Sequence, residues 1–266
     1  MNKIKETIGY ADYSWNPIAT GTRDEVKEEA MEKLEDPFYL RFWPSRLEEP
    51  MKLNKPSRIF VCDMGDLFGD GIPEQWTGSV IDYIEACILP GLASHTFLLL
   101  TKQPQNLAKW SPFPDNCEVG ISVTRNNQLD NALECLKQIE ATVKFISFEP
   151  LLERMPNEGL VNHINWVIIG ATTGSKKDLL ELQQKYPGLA LVQWGRKWTL
   201  QPKVERVKEI IEAADKAGIP VFLKDNLKPL LCEEGWNDKR LVIDWTYGES
   251  EFEGIVDCRL RQELPR

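Results

Sequence analysis

No stretch of this chain stays apolar for long. The longest runs, such as residues 97–100 and 166–169, fall far short of the roughly 20 residues that a membrane-spanning helix needs, so no membrane association is expected. The opening MNKIKETIGY has no continuous apolar segment of the kind a secretion signal carries, and the expectation is a cytoplasmic protein. Histidine is scarce: His95 and His163 are the two copies. The six cysteines, at positions 62, 87, 117, 135, 232 and 258, make no CxxC pair and no cluster with either histidine. That scatter gives no metal site, and in a reducing compartment it predicts buried thiols. Positive charge is in deficit. A net charge of −9 opposes any general attraction to a nucleic-acid backbone, although a local basic groove is compatible with it. The best such patch is WGRKWTLQPK, residues 194–203, for which a solvated, partly packed loop is the preferred reading.

What is present is an alternation. With 266 residues, 42% of them hydrophobic and 27% charged, the chain has an ordinary globular composition and the length of one α/β barrel. Eight short, β-rich apolar runs occur at 8–15, 58–63, 96–102, 118–124, 143–149, 166–172, 189–194 and 221–225. Between them lie amphipathic segments, clearest at 76–88, 127–139 and 203–217. Their apolar faces are Trp76, Val80, Ile84, Cys87 and Ile88; Leu129, Leu133, Leu136 and Ile139; and Val204, Val207, Ile211 and Ala214. Pro73 suits a helix start and Gly218 a helix stop. Strands alternating with covering helices predict a parallel sheet with right-handed crossovers. The number of units favours closure into a single-domain, TIM-barrel-like (βα) barrel over residues 1–227, with 228–266 as a C-terminal extension packed on it. An open doubly wound sheet leaves the same sequence trace.

Ligands of parallel α/β folds sit beyond the carboxyl ends of the strands, and polar residues stand there repeatedly. Asn16 follows the first run, Asp63 and Asp66 the second, Lys102 the third, Ser122 the fourth, Glu149 the fifth, Gln193 the seventh and Lys224 the eighth. Each alone has a structural explanation, since the aspartates suit turn caps and the lysines suit ion pairs. Together they suggest a shared ligand-binding mouth, because charges at one strand end after another are costly to bury without partners. No catalytic residue is assigned. GATTG at 170–174 is a weak anion-binding turn before a helix and lacks GxGxxG and Walker A spacing. Ser14 and Ser147 lack a nucleophile elbow, and both histidines precede strands, so a serine hydrolase and a histidine-ligated zinc enzyme are rejected.

WNPIATG, RFWPSRL, SRIFVCDMGDLFGD, TFLLLTKQPQNL, ISFEPLL, INWVIIGATTG and PVFLKDNLKPLL follow one another over nearly the whole chain. In that order they resemble the phage gene-product-37/68 family, a radical-SAM-like group whose members carry a three-cysteine motif soon after WNP. The resemblance implies a radical-SAM-type barrel whose first loop holds a 4Fe-4S cluster, with S-adenosylmethionine completing the coordination of the open iron. The positions that correspond to the three cysteines are Thr22, Val26 and Glu29, and Ala30 stands where an aromatic residue usually follows. Such clusters need thiolates. Residues 23–34 read instead as an ordinary helix, with Val26, Ala30 and Leu34 on one face. Cys62, near the expected mouth, is a single thiol and cannot hold a cluster. No cofactor is therefore expected for the sequence as it stands, and the leading expectation is a cluster-free barrel that keeps a pocket for S-adenosylmethionine or another nucleoside-containing small molecule. Two alternatives stand beside it: an active radical-SAM enzyme acting on an unknown substrate, nucleic acid included, and a stable scaffold with no ligand.

Overall fold

The computed structural model describes residues 1–20, 40–156, 159, 161–235, 237–247 and 255–265. The expectations for Thr22, Val26 and Glu29, and for a helix over 23–34, lie outside these residues. The fold is mixed α/β and its main pairings are mostly parallel. Contacts divide the chain into two units, Met1–Gly120 with Gln138–Thr142, and Ile121–Lys137 with Val143–Arg266.

In the first unit, β1 (Asn2–Lys3) pairs antiparallel with β2 (Tyr13–Trp15). The first apolar run, expected as a strand from residue 8, is strand only at β2. Lys5–Ile8 form a short helix that ends at Gly9, where a φ of 82° suits a residue without a Cβ. A short antiparallel ribbon follows, β3 (Ile18–Thr20) with β4 (Leu40–Phe42), in register Ile18↔Phe42 and Thr20↔Leu40. β5 (Arg58–Val61) then lies parallel to β2 on one side and to β6 (Thr96–Thr101) on the other. Trp15, Ile59, Val61, Phe97, Leu98 and Leu99 are all at most 1% exposed, as interior parallel strands covered on both faces require. The connection from β5 to β6 carries the helix Glu74–Ala86, entered at Pro73, which buries Thr77, Val80 and Ile84 at spacings of three and four. It stops before Ile88, which is 51% exposed rather than on the buried face. Trp76 stacks on Phe42, ring centroids 5.5 Å apart. β7 (Cys117–Ser122) closes this stretch of chain.

In the second unit, β8 (Val143–Phe148), β9 (Trp166–Ile169) and β13 (Val221–Leu223) run parallel, in that order. The register aligns Phe145 with Trp166 and Ile168 with Phe222, and the Phe145, Trp166 and Phe222 rings contact one another in sequence. The helices Leu129–Lys137 and Val204–Ala217 match the expected segments, and the latter buries Val204, Val207, Ile210, Ile211 and Ala214. The seventh apolar run departs from expectation. It forms β11 (Ala190–Trp194) in an antiparallel three-stranded sheet with β12 (Lys197–Gln201) and β10 (Thr172–Gly174). Leu152, Leu179, Leu189 and Leu200 make a satellite core beneath it. β14 (Val242–Tyr247) and β15 (Ile255–Leu260) form a second ribbon.

Two corrections follow. Among the described residues neither parallel set, β2–β5–β6 or β8–β9–β13, closes on itself, so the closed barrel expected from eight runs is not present within either unit. Cys62, Cys87 and Cys117 are buried free thiols as expected, but Cys232 and Cys258 are joined in a disulfide, Cα atoms 5.9 Å apart. Spacing hid this pair because 26 residues separate them, and only the packing of β15 on the helix Lys228–Glu234 brings them together.

Candidate functional site

The strand ends of the first unit are bound to one another. Asn16, directly after β2 and 7% exposed, donates from its amide to Asp63 Oδ1 at 2.6 Å and accepts from Met64 N at 3.1 Å. One side chain therefore fixes the turn that leaves β5. Within that turn Cys62 takes a φ of 55°, a left-handed conformation uncommon for a residue with a Cβ. Its thiol is 2% exposed, and burial pushes its pKa up to about 12, so it stays protonated at neutral pH. Asp66 accepts from Phe68 N at 3.0 Å through Oδ1, and from Thr101 Oγ1 at 2.9 Å and Lys102 N at 2.8 Å through Oδ2. Its carboxylate is thus committed to joining the β5 loop to the end of β6. Lys102 contributes a backbone N–H to this network, and the residue itself is exposed.

The second unit has a different arrangement. Glu149 follows β8, Gly170 follows β9 and Lys224 follows β13, so three adjacent parallel strands end on an acid, a glycine and a lysine. The Lys224 ammonium and the Glu149 carboxylate form an ion pair, with side chains 13% and 23% exposed. They meet across the middle strand because Gly170 has no side chain. A Cβ there would lie 3.1 Å from Glu149 Cγ and 3.2 Å from Lys224 Cδ. Asn226 sets the height of the lysine loop: its side chain accepts from Ala171 N at 3.0 Å and donates to Ala171 O at 2.6 Å, imitating a further rung of sheet pairing. Gln201, fully buried, donates to the Asn226 carbonyl at 2.8 Å.

The remaining expected residues fall apart from these two groups. Ser122 is half-buried at the end of β7. Gln193 lies on β11, outside the parallel set, exposed and hydrogen-bonded to the Gly195 carbonyl at 3.2 Å. GATTG supplies β10, and the helix after it is capped by Ser175, which accepts from Asp178 N at 3.2 Å and donates to Asp178 Oδ2 at 2.7 Å. That carboxylate stands where an anion would have to sit. The basic stretch 194–203 is a hairpin turning at Gly195, and Lys176 lies over its Trp198 ring at 4.5 Å.

Gly170 enters the sequence reading only as the start of the weak anion-binding turn GATTG, and Asn226 and Gln201 do not enter it. A glycine closing a buried apolar run was the available signal for the role of the first; nothing local marked the other two.

The described residues do not fit a 4Fe-4S cluster. Among the described residues no group of three His, Cys, Asp or Glu could hold a metal ion, and positions 22, 26 and 29 carry no sulfur.

No curated protein sequence matches the chain. Two solved structures are similar to it. A tyrosine-to-phenylalanine mutant of spore photoproduct lyase matches at 12% identity, over 71% of this chain and 68% of that one, with a TM-score of 0.48. A cysteine-to-alanine mutant of spore photoproduct lyase matches at 11% identity, over 82% and 76%, with a TM-score of 0.47. The sequence profile of the family described as "Protein of unknown function (DUF5131)" covers residues 19–184, more than half of the chain, and the protein belongs to that family.

Proposed function

We propose that this protein is a radical-SAM-like α/β protein related to the phage gene-product-37/68 group that carries no iron–sulfur cluster and binds a small zwitterionic, nucleoside-containing ligand such as S-adenosylmethionine. The ordered motifs from WNPIATG to PVFLKDNLKPLL support the relationship. The observation that carries the ligand is the Glu149–Lys224 pair held over Gly170. A carboxylate beside an ammonium is complementary to an amino acid, whose α-amino group faces the acid and whose carboxylate faces the lysine. Both side chains are partly exposed, so the pair can exchange its internal contact for a ligand without burying a bare charge. No bond-breaking chemistry is assigned, because no residue here supplies the thiolates that radical chemistry from this ligand requires.

The test is anaerobic reconstitution with iron and sulfide, followed by equilibrium dialysis against labelled S-adenosylmethionine. The expected result is no stoichiometric iron, saturable binding by the wild type, and binding at least tenfold weaker in Glu149→Gln and in Gly170→Val, which drives a side chain between the two charges. Stoichiometric cluster uptake would overturn the cluster-free reading. Absence of saturable binding, or equal affinity in the wild type and both variants, would overturn the ligand assignment.

A further inference from the structure

At the amino-terminal ends of β2 and β5 in the first unit, Lys3, Lys5, Asp12, Tyr13, Lys55 and Ser57 surround a cavity of about 530 Å3 with Pro56. That volume is within the range of small-molecule sites, roughly 300–1,000 Å3. The topology assembles the cations from two parts of the sequence. Lys3 on β1 stands directly opposite Tyr13 on β2, and Tyr13 stands beside Ile59 on β5, so the segment just before β5 brings Lys55 to the same opening.

The charges in this cavity do not cancel. Asp12 is its one carboxylate among the described residues, and it is occupied: Oδ2 accepts from Arg58 N at 2.9 Å, while Oδ1 lies 3.3 Å from Lys5 Nζ. Lys3 and Lys55 form no ion pair among the described residues. In a protein of net charge −9, two uncompensated ammonium groups thus share one concave site with a third that is only partly neutralised. Concave walls focus such a field and favour a small anion over bulk counterions. The Tyr13 ring, half-buried, and Pro56 supply an apolar wall next to the charges.

We infer that this cavity binds a small polyanion carrying linked phosphates, with Lys3 and Lys55 as its principal contacts. Flexible ammonium groups on separate segments suit a chain of phosphate oxygens better than a single planar carboxylate, for which a rigid guanidinium fork is the usual partner. The site shares no residue with the Glu149–Lys224 pair and does not depend on its function.

Titration calorimetry of the whole protein with pyrophosphate and with ATP tests this. Saturable one-to-one binding that weakens as salt is raised is expected, with affinity at least tenfold lower in the Lys3→Met/Lys55→Met double variant and undetectable in Lys3→Glu/Lys55→Glu. These side chains are exposed, so circular dichroism should be unchanged in both variants. ATP binding tighter than pyrophosphate, with the difference removed by Tyr13→Leu, would identify the apolar wall as a nucleobase contact. Failure to saturate at millimolar pyrophosphate, or equal affinity in the wild type and the double variant, would overturn the proposal. So would binding confined to oligonucleotides and growing with their length.

Discussion

At the scale of single residues, the structure separates an acid bound to neighbouring backbone and hydroxyl groups from an acid paired with a lysine, and the sequence could not. Asp66 and Glu149 look alike as acids just beyond apolar runs, yet Asp66 accepts three hydrogen bonds from its own chain while Glu149 meets a lysine across a glycine. His95 is 2% exposed, its ring edge-on to Phe97 at 6.3 Å, and burial holds its pKa below the ordinary value, with the nearby Pro50 carbonyl opposing part of the shift. The unfolded chain therefore takes up a proton near pH 6.5 that the folded ring refuses. Stability is fully present above pH 6.5 and falls as the pH drops through that value toward the lower folded pKa. Urea midpoints measured from pH 7.5 down to 5 should show this decline, and His95→Phe should make it shallower. An unchanged slope in the variant would remove His95 as its source.

At the scale of elements, most boundaries were legible because backbone chemistry is local. Val204–Ala217 was readable from the spacing of Val204, Val207, Ile211 and Ala214 and from the glycine that ends it. That Gly218 has a φ of 68°, and no atom lies within 4 Å of where a Cβ would stand, so Gly218→Ala should destabilise by about 1 kcal/mol through left-handed backbone strain alone. Chemical denaturation would measure it, and Gly218→Asn should cost less. The seventh strand forms where the apolar run predicts it but pairs antiparallel, outside the parallel set. Residues 189–194 are as apolar as a parallel strand, but Gly195, with a φ of 57°, begins a two-residue turn that folds the next segment back along them. The tight-turn signal is the glycine of WGRK.

At the scale of the whole molecule, one covalent tie has no sequence signature. Cys232 and Cys258 join the helix after Lys224 to β15, and the segment that continues from β15 bonds back to β13, with Leu223 N donating to Arg261 O at 2.9 Å. The disulfide closes a loop of 26 residues, for which the chain-entropy account gives roughly 3 kcal/mol. A reductant should therefore lower the denaturation midpoint of the wild type, and Cys232→Ser/Cys258→Ser should start low and ignore reductant. Equal midpoints with and without reductant would show that the bridge contributes nothing.

By itself the sequence determined the alternation of strands and helices, the helix limits at Pro73 and Gly218, the polar residues beyond the apolar runs, and the absence of thiols at positions 22, 26 and 29. Those follow from side-chain period, backbone freedom and ligand chemistry, which act over a few residues. Tertiary structure alone decided which of those residues meet. Lys224 finds Glu149 over 75 positions, Asn226 finds Ala171 over 55, and the lysines at 3 and 55 reach one cavity because β1, β2 and β5 lie side by side. Hydrogen bonds and charges act through space over a few ångströms, and the chain order does not record that distance.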